Sequence, residues 1–173
     1  IASRLDGLPP DERSLVHDAA VLGQSFTAAG LTAVSGVAEP ELGVRIRSLV
    51  RKEILAPGDA RSPERHEHMF VQGLIREVAY HQLARADRKS RHLAAARFFE
   101  SLGSDELAGA VASHYLAARR DVADGPEADE LVAHARVALV SAGARATTLG
   151  SQEQAARYFE QAVNLAGAPE ERA

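Results

Sequence analysis

Thirteen residues, "APGDARSPERHEH" from Ala56 to His68, constrain the fold more than any other stretch. Pro57, Gly58 and Pro63 exclude a helix there, because proline lacks an amide N–H and clashes with the turn before it. The flanks "EIL" and "MFV" are short and largely apolar, so two strands around a polar loop, a β-hairpin, are predicted. Elsewhere the apolar residues recur at helical spacing. The chain is therefore expected to be mainly α, with one small β element between two helical stretches.

Before the hairpin, three helices are predicted. "LPPDERSLVHDAAVL", residues 8–22, has proline at its start, Asp11 and Glu12 in its first turn where the helix dipole favours acids, and Leu15, Ala19 and Leu22 on one face. Gly23 ends it. A second helix fits Thr27 to Ser35, stopped by Gly36. The third, "EPELGVRIRSLVRKEI", places Leu42, Ile46, Leu49 and Val50 on one side and Arg45, Arg47, Arg51 and Lys52 on the other. Three short helices followed by a hairpin are the layout of a winged helix, assigned to residues 1–72.

From Gly73 onward the pattern is wholly helical. "LIREVAYHQLARA" carries Leu74, Ile75, Val78, Ala79 and Leu83. The next helix, with a cap expected at Asp87, carries Ala95, Phe98, Phe99 and Leu102. "DELAGAVASHYLAARR" presents Ala108, Val111, Ala112 and Tyr115. After the acidic linker "DVADGPEADE" comes a long helix, and the last one opens at Ser151 with Gln154 three residues on, the spacing of a capping box. Antiparallel helices with short breaks predict a helical array over 73–173. Within it, Ala155, Phe159 and Ala162 fall where the second helix of a tetratricopeptide repeat places its small, large and small packing residues. Leu139, Ala142 and Gly143 have the spacing of the first helix. Ala146 stands where an aromatic is usual and Gly167 where proline is usual. An ordinary alanine-rich helical hairpin is the alternative.

Chemistry is hard to find. The 173 residues carry a net charge of -4 and no cysteine, which removes disulfides, thiolate nucleophiles and Cys-ligated zinc. No apolar run reaches the ~20 residues that span a bilayer, so no membrane partner is expected. Phosphate-binding, dinucleotide, nucleophile-elbow and H-E-x-x-H motifs do not occur. His66 and His68 of "HEH" share one side of an extended strand but have no third ligand nearby, so no metal site is assigned. His17, His81, His92, His114 and His134 lie on different helices without spaced carboxylates, and no catalytic residue is assigned. The acids around Asp121 to Glu130 are explained by solvation and the helix dipole. A second basic run, Arg85, Arg88, Lys89, Arg91 and His92, reads as a solvated face. The cations of the third helix, Arg45, Arg47, Arg51 and Lys52, suit either duplex DNA or a protein or intramolecular contact. Against DNA, the chain is acidic and the helix holds no Asn or Gln.

The segments "RLDGLPPDERSLVHDAAVLGQSF", "LVRKEIL" and "FVQGLIREVAYHQL" resemble the region that follows the ATPase core in bacterial signal-transduction ATPases of the STAND type, including multidomain adenylate or guanylate cyclase-like proteins and large LuxR-type regulators. The resemblance implies a cytoplasmic, non-catalytic regulatory fragment of a longer protein. Its winged helix would pack on the ATPase core and its repeats would receive a signal or a protein partner. ATP or ADP would belong to that core, with no cofactor in this stretch. Relatives often carry histidine just before the helix that begins here at Gly73, near the nucleotide phosphate. Gln72 occupies that position; it can donate a hydrogen bond but cannot become cationic. A polar cap on the helix entry is the other role open to it. A DNA-binding transcriptional regulator is the alternative function, and dimerisation through an exposed terminal helix is compatible with so short an array.

Overall fold

The computed structural model describes residues 1–58 and 67–166, which form nine α-helices and three short strands. The chain is mainly helical and divides into two compact units, Ile1–Ala95 and Ala96–Ala173. The packing division therefore falls well after the change of pattern at residues 72 and 73.

In the first unit, α1 (Ala2–Asp6), α2 (Pro10–Leu22), α3 (Ala28–Ser35) and α4 (Glu39–Arg51) precede α5 (Gly73–His81) and the start of α6 (Arg85–Ser101). The helix ends follow local chemistry. Pro10 opens α2, Thr27 Oγ1 accepts the Gly30 N–H to cap α3, and Gly36 adopts φ 70° just after α3 ends. The strands β1 (Ser25–Phe26), β2 (Leu55–Pro57) and β3 (His68–Phe70) form an antiparallel sheet in the order β1-β3-β2. The expected pairing of the hairpin flanks is present, with Leu55 opposite Phe70 and Pro57 opposite His68, while its loop lies outside the described residues. Pro57 is tolerated because β2 is an edge strand. Strand β1 was not foreseen, since two residues between Gly23 and Thr27 carry no alternation to detect.

Leu15, Val16, Ala19 and Ala20 of α2 meet Leu42, Ile46 and Leu49 of α4, with Phe26 and Phe70 from the sheet, in one buried core. Ile75 and Ala79 of α5 belong to the same core, so α5 packs with the N-terminal helices although its pattern resembles the later ones. Leu74, expected on the apolar face, is exposed.

In the second unit α7 (Ala108–Arg119) and α9 (Gln152–Ala166) both pack against α8 (Pro126–Thr148), and a short 3-10 turn at Asp105–Leu107 leads into α7. Buried alanines on the three helices, among them Ala112, Ala135, Ala142 and Ala155, let their axes approach closely. At Gly143 the approach is tight enough that a Cβ would lie 2.6 Å from the Phe159 ring. Two cap expectations fail. Asp87 lies inside the first turn of α6, which begins at Arg85. The Ser151 N–H bonds the Ala146 carbonyl and the Gln154 amide bonds the Tyr158 hydroxyl, so no capping box forms.

Candidate interaction surfaces

The four cations of α4 divide into two pairs. Glu12, only 8% exposed on α2, accepts a hydrogen bond from Ser48 Oγ at 2.7 Å and an ion pair from Lys52 Nζ. Arg45 pairs with Glu41 one turn away and lies 3.5 Å from Asp11. The first-turn acids of α2, read as dipole partners from the sequence, thus also tie α4 to α2. Arg47 and Arg51 are exposed and make no ion pair or side-chain hydrogen bond among the described residues. They continue a stripe that includes Pro40 and Val44, the latter 57% exposed. Arg45 and Lys52 are therefore intramolecular ties, and only Arg47 and Arg51 remain available to a partner.

Gln72 is exposed and sits at the cap position of α5. Its carbonyl accepts the Ile75 N–H at 3.0 Å, but its side chain makes no capping bond. The amide is left facing solvent.

The basic run of α6 is not a solvated face throughout. Arg91 Nε donates to Asp18 Oδ1 at 2.7 Å, with both side chains largely buried. Burial pushes the Asp18 carboxyl above its ordinary value, with the Arg91 guanidinium pulling it back. His92 is buried with its Nε2 2.8 Å from the Tyr80 hydroxyl, and the Arg88 guanidinium lies 5.1 Å from the Tyr80 ring centre. His17 is held below its usual range chiefly by burial, opposed by its contact with Gln82. This network binds the start of α6 to α2 and α5. Sequence patterning missed its central ion pair because Asp18 and Arg91 are 73 residues apart.

Part of "HEH" also has a structural role. The Glu67 carboxylate accepts the Ala28 N–H at 2.8 Å, capping α3 from the strand side. Burial holds His68 below its usual range, while His66 lies outside the described residues. Among the described residues no group of three His, Asp or Glu is placed to hold a metal ion.

In the second unit Leu139, Ala142, Gly143, Ala155 and Ala162 are buried together, and Phe159 closes over Gly143 while 38% exposed. Of the six expected packing positions, Gly143 and Phe159 are in direct apposition between α8 and α9 and the other four are buried. Ala146, standing where an aromatic is usual, is buried as well. The outer faces of the two helices expose Val137, Val140 and Val163. His114 stacks on Phe99 at 5.4 Å, and His134 on Tyr115 at 4.8 Å. The Tyr115 hydroxyl donates to Glu100 at 2.8 Å, and burial together with that carboxylate pushes its pKa up to about 12. Here, too, the histidines serve packing. No described helix is long and apolar enough to cross a membrane. No family model, curated protein or solved structure matches the chain.

Proposed function

We propose that the chain is a non-catalytic regulatory module, a winged-helix unit followed by tetratricopeptide-like helices, that couples an ATPase core to an output domain through protein contacts. The observation that carries this reading is the order of elements from α2 to β3. A helix, a strand, two helices and two further strands, with β3 central, support a winged-helix reading in which α4 is the third helix. The seating of Phe159 on Gly143, with Ala155 and Ala162 buried beside it, supports the repeat-like reading of α8 and α9.

The regulatory role rests on the resemblance to STAND-type signal-transduction ATPases. ATP or ADP then belongs to the core, the setting is cytoplasmic, and the module acts by population shift. A partner that favours one arrangement of the module on its core changes the balance between active and resting states. Gln72 occupies the phosphate-facing position of the relatives as a neutral donor. Any contact it makes with nucleotide would be a hydrogen bond without charge.

A second reading, a DNA-binding regulator, has the free Arg47 and Arg51 of α4 in its favour. Titration of a 20-base-pair duplex at low and moderate salt, beside the R47E/R51E variant, separates the two. The proposal expects no difference between variant and parent. Binding that weakens with salt and vanishes in the variant would replace it with the DNA reading.

A further inference from the structure

We propose that the outward face of α4 docks an acidic, amphipathic helical segment of a protein partner. The inference deepens the protein-contact reading and rests on it. Pro40, Val44, Arg47 and Arg51 follow one another at spacings of four, three and four residues, which is one continuous stripe along a helix. The N-terminal half of the stripe is apolar and exposed at Val44; the C-terminal half is cationic and without ion-pair partners among the described residues. The Arg4 guanidinium, bonded to the Lys52 carbonyl at 2.8 Å, adds a third positive charge at that end of the helix.

Charge decides the class of partner. A duplex gains affinity with each phosphate neutralised, so an electrostatic grip on it is built from many cations. Arg45 and Lys52 are already neutralised by Glu41, Asp11 and Glu12, which leaves the stripe two free guanidiniums. Even with Arg4 beside them these are few for a duplex, but the two on the stripe suit two carboxylates one helical turn apart, since each planar guanidinium can grip a carboxylate through two parallel bonds. Val44 and Pro40 give an apolar partner residue a place that a phosphate backbone would leave empty. Glu39 and Glu41 at the other end set the direction: the acids of the partner lie over Arg47 and Arg51, and its apolar residues over Pro40 and Val44.

The test is a heteronuclear NMR titration of the whole chain with two synthetic 15-residue helical peptides. One carries a leucine stripe flanked by glutamates four residues apart; the other has glutamine at those positions. The glutamate peptide is expected to shift the amides of Val44, Arg47 and Arg51 saturably. The glutamine peptide should bind about tenfold more weakly, as expected for two exposed ion pairs of several-fold each. In R47E/R51E, which removes only exposed side chains, the preference should reverse toward a lysine version of the peptide. V44S should weaken the glutamate peptide without changing its salt dependence. Equal binding of both peptides, absence of saturable shifts at α4, or a duplex that shifts these residues at lower concentration than the glutamate peptide would overturn the proposal. None of those results would bear on whether the chain turns over nucleotide, so the non-catalytic reading fails or survives separately.

Discussion

Gly143→Ala offers a change whose sign depends on one contact. In an open helix the substitution stabilises by about 1 kcal/mol, because glycine loses more backbone freedom than alanine. At this position the new methyl would lie 2.6, 2.8 and 2.9 Å from three atoms of the Phe159 ring, well inside the ~3.5 Å of favourable carbon contact. Overpacking of this kind costs about 1–3 kcal/mol, so the net effect is a loss of about 1 kcal/mol and, for a chain of this size, a drop in Tm of about 2–4 °C. Phe159→Ala removes the obstacle. It costs about 2 kcal/mol itself, less than a fully buried phenylalanine because part of the ring is exposed. In that background Gly143→Ala should stabilise by the full helix-propensity gain. The four proteins form a double-mutant cycle, followed by urea unfolding with circular dichroism, and a coupling near 2 kcal/mol is expected. If Gly143→Ala stabilises parent and Phe159→Ala backgrounds equally, the glycine is not there to admit the ring, and the packing basis of the repeat-like reading fails.

Arg91→Ala should cost about 3 kcal/mol at neutral pH, since it strands the Asp18 carboxylate in the core, and the loss should shrink in acid as Asp18 takes up a proton. Asp18 is raised in the folded state, so its own contribution is greatest below its unfolded value of 3.8 and is lost as pH rises through the folded value. His17 and His68 behave oppositely. Both are lowered by burial, so their contribution is complete above 6.5 and is lost as pH falls through the folded values; thermal melts of a His17→Gln, His68→Gln variant should flatten the pH dependence just below 6.5. Glu12→Ala leaves Ser48 and Lys52 without their shared partner and should cost about 1–2 kcal/mol in chemical unfolding. Glu53→Gly should gain about 1 kcal/mol, because Glu53 holds φ 54° at the exit of α4, where glycine is unstrained.

Local chemistry made the helices legible. Gly36 stops α3, Pro10 starts α2, and the small residues of α8 and α9 mark in the sequence where a partner helix can come close. What escaped depends on residues far apart in the chain. Strand β1 exists because β3 offers Ser25 and Phe26 an edge, and no two-residue stretch can announce that alone. The placement of α5 with the first unit is decided by the fit of Ile75 and Ala79 to the core around α2, which a break in periodicity at Gly73 does not reveal. The basic face of α4 was visible as four charges. Its reduction to Arg47 and Arg51 required knowing that Asp11 and Glu12 lie across from Arg45 and Lys52. The same holds for Arg91, which resembles a solvated cation until Asp18 is brought beside it, whereas His92 meets Tyr80 across the short turn between α5 and α6.

The claim that this chain works by contact and not by chemistry is tested most directly by incubating it at high concentration with ATP or GTP and magnesium and resolving the products chromatographically. The account predicts no diphosphate and no cyclic nucleotide above a protein-free control, in the parent and in single His→Ala variants alike. Turnover that follows the protein through purification and disappears in one histidine variant would contradict it.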